Sequence, residues 1–349
     1  MSIQTDHTLL DRFVTHGSEL TAQDWNLAAA DYGTRGRLAE EADALTARAY
    51  GDGDPDAQNR VQDLLGAIYE QDFSIPPAER LDHDSQPILR DVAARLENAF
   101  LTHEAALVPE SALTGYPHTA KEYVRWLEDL VNAHVASRHE FYTSFVEAEA
   151  TKEDIRFFMV QEGTLDPRFD DILALVQVGT TGVEKMEIAK NYWDEMGNGE
   201  HAGVHTTIFA KSHTALGIDS GFIADNTLLE AKVCGNLSSA LALSRRHYYK
   251  AAGYFGATEY LVPRRFEYLT RAWKELGLPP EGVEYHLLHM EIDVEHGESW
   301  FNEVIGPVVE RDPRLGREIA LGAVLRLNTS ARYLDAIVDH CRASRGACG

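Results

Sequence analysis

The octapeptide HMEIDVEH, residues 289–296, sets His289, Asp293 and His296 at intervals of four and three, with no turn residue between them. An α-helix advances about 100° per residue, so Asp293 lies about 40° from His289, and His296 about 20° to the other side. The three side chains therefore share one face. Leu287, Leu288, Met290, Ile292 and Val294 flank them, which predicts a helix apolar enough to be largely buried. Polar residues at helical spacing usually form a solvated face, and Glu291, Glu295 and Glu298 are the candidates for such a face here. Two imidazoles and a carboxylate buried side by side are costly unless something satisfies them. A first-row ion such as iron or zinc would do so.

The helical reading extends along the chain in both directions. Apolar residues recur at intervals of three and four through LLDRFVTHGSELTAQDWNLAAADYGTRGRLAEEADALTARAY, RVQDLLGAIYEQDF and TAKEYVRWLEDLVNAHVASRHEFYTSFVEAEA. GDGDPDA (51–57) reads as a turn or loop, and the double Pro of SIPPAER as a stop. Asp84 or Ser85 is placed to cap the following helix, and Thr151 with Asp154 approaches a capping box closed at Gly163. Strand alternation is absent. The expected fold is all-α, with a boundary near 110–120 between an N-terminal helical extension (1–115) packing on the core and a C-terminal bundle (116–349).

The 349 residues are 44% hydrophobic, ample for a large core. A net charge of −24, from 56 acidic and 32 basic residues, argues against nucleic acid and anionic membrane as partners. No stretch approaches the roughly 18 apolar residues of a membrane span, and MSIQTDHTLLDRF does not read as a secretory signal. Cys234, Cys341 and Cys348 are an odd set without a paired Cys-x-x-Cys, which fits neither a disulfide framework nor a zinc ribbon. A reducing, cytoplasmic setting is expected.

Other segments carry ligand-type side chains. WDEMGNGEHAGVH (193–205) puts Glu195 ten residues before His205, across a Gly-Asn-Gly break that otherwise reads as a helix end and a loop. GYFGATEYLVP (253–263) isolates Glu259 among small and aromatic residues, where a buried charge needs a partner. That partner is either a metal or Arg264 or Arg265. FFMVQEG (157–163) ends an apolar run in Glu162, an ordinary position for a helix-terminal glutamate. Together Glu162, Glu195, His205, Glu259, His289, Asp293 and His296 are too many donors for one ion and suit two, bridged by carboxylates inside a bundle. The ferritin-type pattern needs two Glu-x-x-His pairs, and only Asp293-x-x-His296 is present.

The order Glu, then Glu with His across Gly-Asn-Gly, then Glu, then HxxxDxxH resembles the haem-oxygenase-like diiron oxidases and oxygenases, also described as iron-containing redox enzymes. The likeness is best over about 150–300, and the first 110 residues match nothing residue by residue. It implies a haem-oxygenase-like bundle of about seven core helices, without haem, holding two Fe ions. O2 as co-substrate would react with the diferrous pair to give a peroxo-diferric species, with room for an external electron donor. His289, Asp293, His296, Glu259 and His205 match ligand positions. Glu195 matches the extra carboxylate of members that oxygenate amine nitrogen, and Glu162 completes the set.

The resemblance implies oxidation of an amino acid or related small amine in specialised metabolism, with a lean toward N-oxygenation. The alternative within the family is C–H chemistry: desaturation, C–C fragmentation or nitrogen-ring formation. A non-catalytic all-α binding or scaffold protein is the alternative from another class. A zinc hydrolase lacks a ligand set of three donors plus water. Arg245, Arg246, Arg264 and Arg265, with Tyr248, Tyr249 and Tyr254, are candidate contacts for a substrate carboxylate or partners for surface acids. The N-terminal third either covers the bundle or forms a homodimer surface.

Overall fold

The computed structural model describes residues 8–346, apart from the side chains of residues 166, 291–294 and 346. All regular structure among the described residues is helical, with no strand, as the apolar spacing predicts. No helix among them is long and apolar enough to cross a membrane. Cys234 and Cys341 are buried and free, and Cys348 lies outside the described residues.

The chain divides into two compact units, Met1–Leu107 and Val108–Gly349. The first contains α1 (Ala22–Ala30), α2 (Tyr32–Thr46), α3 (Pro55–Asp72) and α4 (Gln86–Ala106). A reciprocal capping box between Thr21 and Asp24 starts α1. The loop expected over 51–57 is shorter than that: the Asp54 carboxylate caps α3 and Pro55 occupies its first turn, where a missing N–H costs nothing. Ser85 stands at the N-cap of α4 without a side-chain cap bond. Leu64, Leu65 and Ile68 of α3 and Leu89, Leu96 and Phe100 of α4 are fully buried.

The second unit contains α5 (Ala120–Ala133), α6 (Lys152–Glu162), α7 (Phe169–Gln177), α8 (Gly182–Glu195), α9 (His205–Ala215), α10 (Ser220–Asn226), α11 (Leu229–Leu243), α12 (Tyr248–Glu275), α13 (Glu284–Ser299), α14 (Gly306–Arg311) and α15 (Gly316–Gly346). Phe141–Glu149, before α6, winds with the wider π-type spacing. The capping box expected at Thr151 and Asp154 is formed. Gly163 closes α6 with a φ of −62°, so it is not a left-handed stop. Phe141, Phe145, Phe158, Leu269, Trp273, Leu334 and Ile337 form the buried apolar mass of this unit.

Helix α12 packs along both α13 and α15 and is the axis of the unit. Its contact with α15 is backbone to backbone. A methyl at Gly253 would stand 1.9 Å from the Ile319 carbonyl oxygen, and one at Gly322 1.9 Å from the Lys250 carbonyl oxygen. Pro263 lies inside α12. Lacking an N–H, it leaves the Glu259 carbonyl, one turn earlier, without its helical donor.

Gly253→Ala and Gly322→Ala are each expected to destabilise the fold by about 1–3 kcal/mol through overpacking. Gly36→Ala in α2, where a methyl meets nothing within 4 Å, should instead gain about 0.4–1 kcal/mol. Thermal and urea midpoints of the purified variants check both.

Candidate metal centre

Glu195 is the last residue of α8 and His205 the first of α9. The nine residues between them fold back on themselves. Gly197, Asn198 and Gly199 take φ values of 59°, 54° and 89°, three left-handed residues in succession. A methyl on Gly197 would stand 2.3 Å from the Gly203 carbonyl carbon, so only glycine fits. The Gly-Asn-Gly break is therefore the device that turns the end of one helix toward the start of the next.

His205 Nδ1 lies 2.8 Å from Glu195 Oε2, and His289 Nε2 lies 3.9 Å from Glu195 Oε1. All three side chains are buried, and their donor atoms lie within 4.8 Å of one another. Two donors each about 2.1 Å from a first-row ion and at right angles are about 3 Å apart, so the His205–Glu195 spacing suits a shared ion. Burial pushes the Glu195 carboxyl up, but its contacts with His205 and His289 outweigh this and hold it down at about 2. It is anionic at neutral pH.

His289 Nδ1 lies 2.7 Å from the Tyr285 carbonyl oxygen. A carbonyl only accepts, so the proton sits on Nδ1. In its neutral form His289 thus aims the Nε2 lone pair at an anionic carboxylate, an arrangement that a cation between them stabilises. Two nitrogens and one carboxylate oxygen are a donor set for iron or zinc.

His296 lies two turns further along α13. Its Nδ1 is 3.9 Å from Glu259 Oε2 on α12, and its Nε2 is 2.9 Å from Asp194 Oδ2. A carboxylate on the far ring nitrogen is the usual way a metal-binding histidine is oriented. Asp293 belongs to α13 between the two histidines, and its side chain lies outside the described residues. Glu295 and Glu298 are exposed, as expected of the wet face, but Leu287 is 49% exposed, contrary to expectation. This helix puts histidine inside and leucine outside, the reverse of what the hydrophobic effect alone would choose.

Glu162, the last residue of α6, accepts a 2.8 Å hydrogen bond from the Tyr333 hydroxyl of α15. Burial pushes its carboxyl above the usual range, against the pull of Tyr333, Arg326 and Arg265. Glu162, Glu195, Glu259 and His289 line one cavity, walled by Phe169, Phe266 and Tyr285. Glu162, Glu195, Glu259, His205, His289 and His296 are thus carried to neighbouring positions by α6, α8, α9, α12 and α13.

Neither arginine offered as a partner for Glu259 takes that role. Arg264 donates to Asn132 Oδ1 and Arg265 to the Ala136 carbonyl. Of the arginines considered as substrate contacts, Arg265 lines the cavity, whereas Arg245 is spent on the carbonyls of Val176, Val178 and Ala242. Tyr248 donates to Glu184, and Tyr254 to the Cys234 carbonyl.

Four residues escaped the sequence reading: Asp194, His286, Arg326 and Tyr333. His286, three residues before His289, is fully buried with neither ring nitrogen hydrogen-bonded. Burial, and then the charge of His289, push it down to about 3, so it is a neutral ring packed against Phe266. Arg326 lies on α15 in the run ALGAVLRLN, a lone charge in an apolar stretch and the same kind of signal that singled out Glu259.

A family described as iron-containing redox enzyme matches residues 156–331, half of the chain. Among curated proteins, the nitrosourea synthase of Streptomyces achromogenes subsp. streptozoticus is 23% identical over 271 residues, 72% of this chain. The chain spans 55% of that relative's length.

Gly197→Ala is expected to open the reversal that brings Glu195 to His205. The left-handed strain alone costs about 1–2 kcal/mol, and the clash with Gly203 adds to it. The variant should keep its far-UV circular dichroism, melt earlier and lose metal binding in an equilibrium titration. Unchanged metal affinity would mean that the turn does not position the pair.

Proposed function

The chain belongs to the iron-containing redox enzyme family, and from that premise we propose that it is a non-haem, O2-dependent oxidase or oxygenase acting on an amino acid or related small amine. The observation that carries the reading is the buried Glu195–His205–His289 cluster opening onto a cavity that Glu162 and Glu259 also line. One ion would lie among Glu195, His205 and His289, and a second toward Glu259 and His296, with Asp293 and Glu162 completing the two sets. Bound iron would supply the reduction and activation of O2, which no amino-acid side chain provides.

The protein's own contribution is placement and electrostatics. Glu195 stays ionised in the interior and supplies fixed negative charge. The Tyr285 carbonyl holds His289 in the tautomer that leaves Nε2 available, and Asp194 does the equivalent for His296 through its Nε2. Phe169, Phe266 and Tyr285 keep the cavity walls apolar, which limits water at the reacting centre. The likeness to a nitrosourea synthase, whose name denotes a product with an oxidised nitrogen, favours oxygen transfer to nitrogen over C–H oxidation.

Anaerobic loading with ferrous iron should give close to two irons per chain. Exposure to O2 with a panel of amino acids and amines should then yield a product heavier by oxygen. Loss of two or four hydrogens would assign C–H chemistry instead. Less than about one iron per chain, with no O2-dependent absorbance change, would leave only a non-catalytic scaffold. His205→Ala and Glu195→Ala should each abolish iron loading at one position. Asp194→Asn should weaken iron affinity by about 10–100-fold while the protein stays folded, because it removes the group that orients His296.

A further inference from the structure

The same cavity has a second, cationic wall. Arg326 of α15 and Arg265 of α12 both line it, and they are only 4% and 5% exposed. Arg326 Nε donates to Thr258 Oγ1 at 2.9 Å, Nη1 reaches Cys234 Sγ at 3.5 Å, and the guanidinium stands 5.8 Å from the centre of the Tyr254 ring. Arg265 Nη2 donates to the Ala136 carbonyl at 2.7 Å, its Nε is buried without a partner, and the group stands 5.5 Å from the Tyr142 ring centre. Every one of these partners is neutral. Among the described residues no carboxylate lies within ion-pair distance of either guanidinium, and the bonds of Arg326 use Nε and Nη1 but not Nη2.

A guanidinium cannot discard its charge at any ordinary pH. Two buried cations that share a single nearby carboxylate are unfavourable, and a fold that keeps both beside a cavity leaves a further anion to be supplied from outside. The nearby acid, Glu162, accepts a hydrogen bond from Tyr333 and feels both guanidiniums, and one carboxylate does not neutralise two cations. Thr258, Cys234 and Tyr254 hold Arg326 in one orientation, which leaves one edge of a planar fork to meet a carboxylate.

We propose that Arg326, assisted by Arg265, binds the carboxylate of the cavity's ligand, so that the substrate is an amino acid and not a free amine. The proposal rests on the redox reading only for what happens to the ligand afterwards. The anion subsite itself stands on the two guanidiniums.

The test uses the full chain under anaerobic conditions, with and without ferrous iron. Calorimetric titrations would compare L-arginine with agmatine, L-lysine with cadaverine and L-tyrosine with tyramine, and would include acetate and propionate as bare carboxylates. At least one acid should bind, and its decarboxylated partner should bind about tenfold more weakly or worse. Arg326→Gln should lower acid affinity by about 30-fold or more, with iron per chain unchanged. If Arg326→Gln fails to fold, Arg326→Lys keeps the charge without the fork and should lose about tenfold. The acid–amine contrast in the parent protein needs no variant. Amines binding as well as acids, no carboxylate binding at all, or full acid affinity in Arg326→Gln would overturn the proposal. Iron content measured in the same samples separates the two readings. Arg326-dependent acid binding without iron loading would sink the redox reading alone, and iron loading without acid preference would sink the anion subsite alone.

Discussion

The structure of the second unit depends on one costly act, the burial of an ionised Glu195 between two imidazoles. A carboxylate taken out of water must be matched by charge and by hydrogen bonds, or the fold loses more than it gains. The match here comes from three helices, two of them consecutive and the third remote in sequence. Glu195 ends α8, His205 begins α9, and His289 lies about ninety residues further on in α13. Placing the acid at a helix end and one histidine at a helix start lets a nine-residue reversal bring them to 2.8 Å without bending either helix.

The surrounding architecture serves that contact. Two glycines let α12 and α15 meet backbone to backbone, which fixes the axis from which Glu259 projects. Pro263 then frees the Glu259 carbonyl within the same helix. The histidine helix itself departs from ordinary hydrophobic logic, burying His286, His289 and His296 while Leu287 faces water. Such an inversion is stable only where the interior offers the histidines something that water does not. Tyr285 and Asp194 offer hydrogen bonds to two of them, and Phe266 offers only an apolar wall to His286.

How much of this was legible beforehand follows from range. Helical periodicity is local, so the all-α class and the shared face of His289 and His296 could be read from spacing alone. The lone Glu259 in an apolar run announced a buried charge but not its partner, and the arginines nearest in sequence proved to be the wrong candidates. The Gly-Asn-Gly break looked like an ordinary helix end because its purpose, three left-handed residues closing onto Gly203, exists only in three dimensions. Asp194 was hidden beside Glu195, since an acidic pair at a helix end carries no sign that its members face different histidines. Arg326 carried the same local signal as Glu259 and was legible by the same rule. What sequence could not show was that the helix bearing Arg326 faces the cavity that Glu259 also lines.

The two walls of that cavity give it a direction. The carboxylates Glu195 and Glu259 stand beside the histidines, whereas Arg265 and Arg326 present two positive charges with Glu162 as their nearby acid. A zwitterionic ligand in such a field is oriented before any chemistry begins, because turning it end for end would set its carboxylate against the acids and its ammonium against the arginines. Interactions of this kind are stronger in a dry, low-dielectric site than in water. They also do not depend on which atom of the ligand is oxidised. Orientation and redox chemistry are therefore separable properties of one cavity. On the proposed reading, iron held on the histidine side would decide what kind of reaction takes place there, and its distance from the arginine wall would decide which atom along the ligand it reaches.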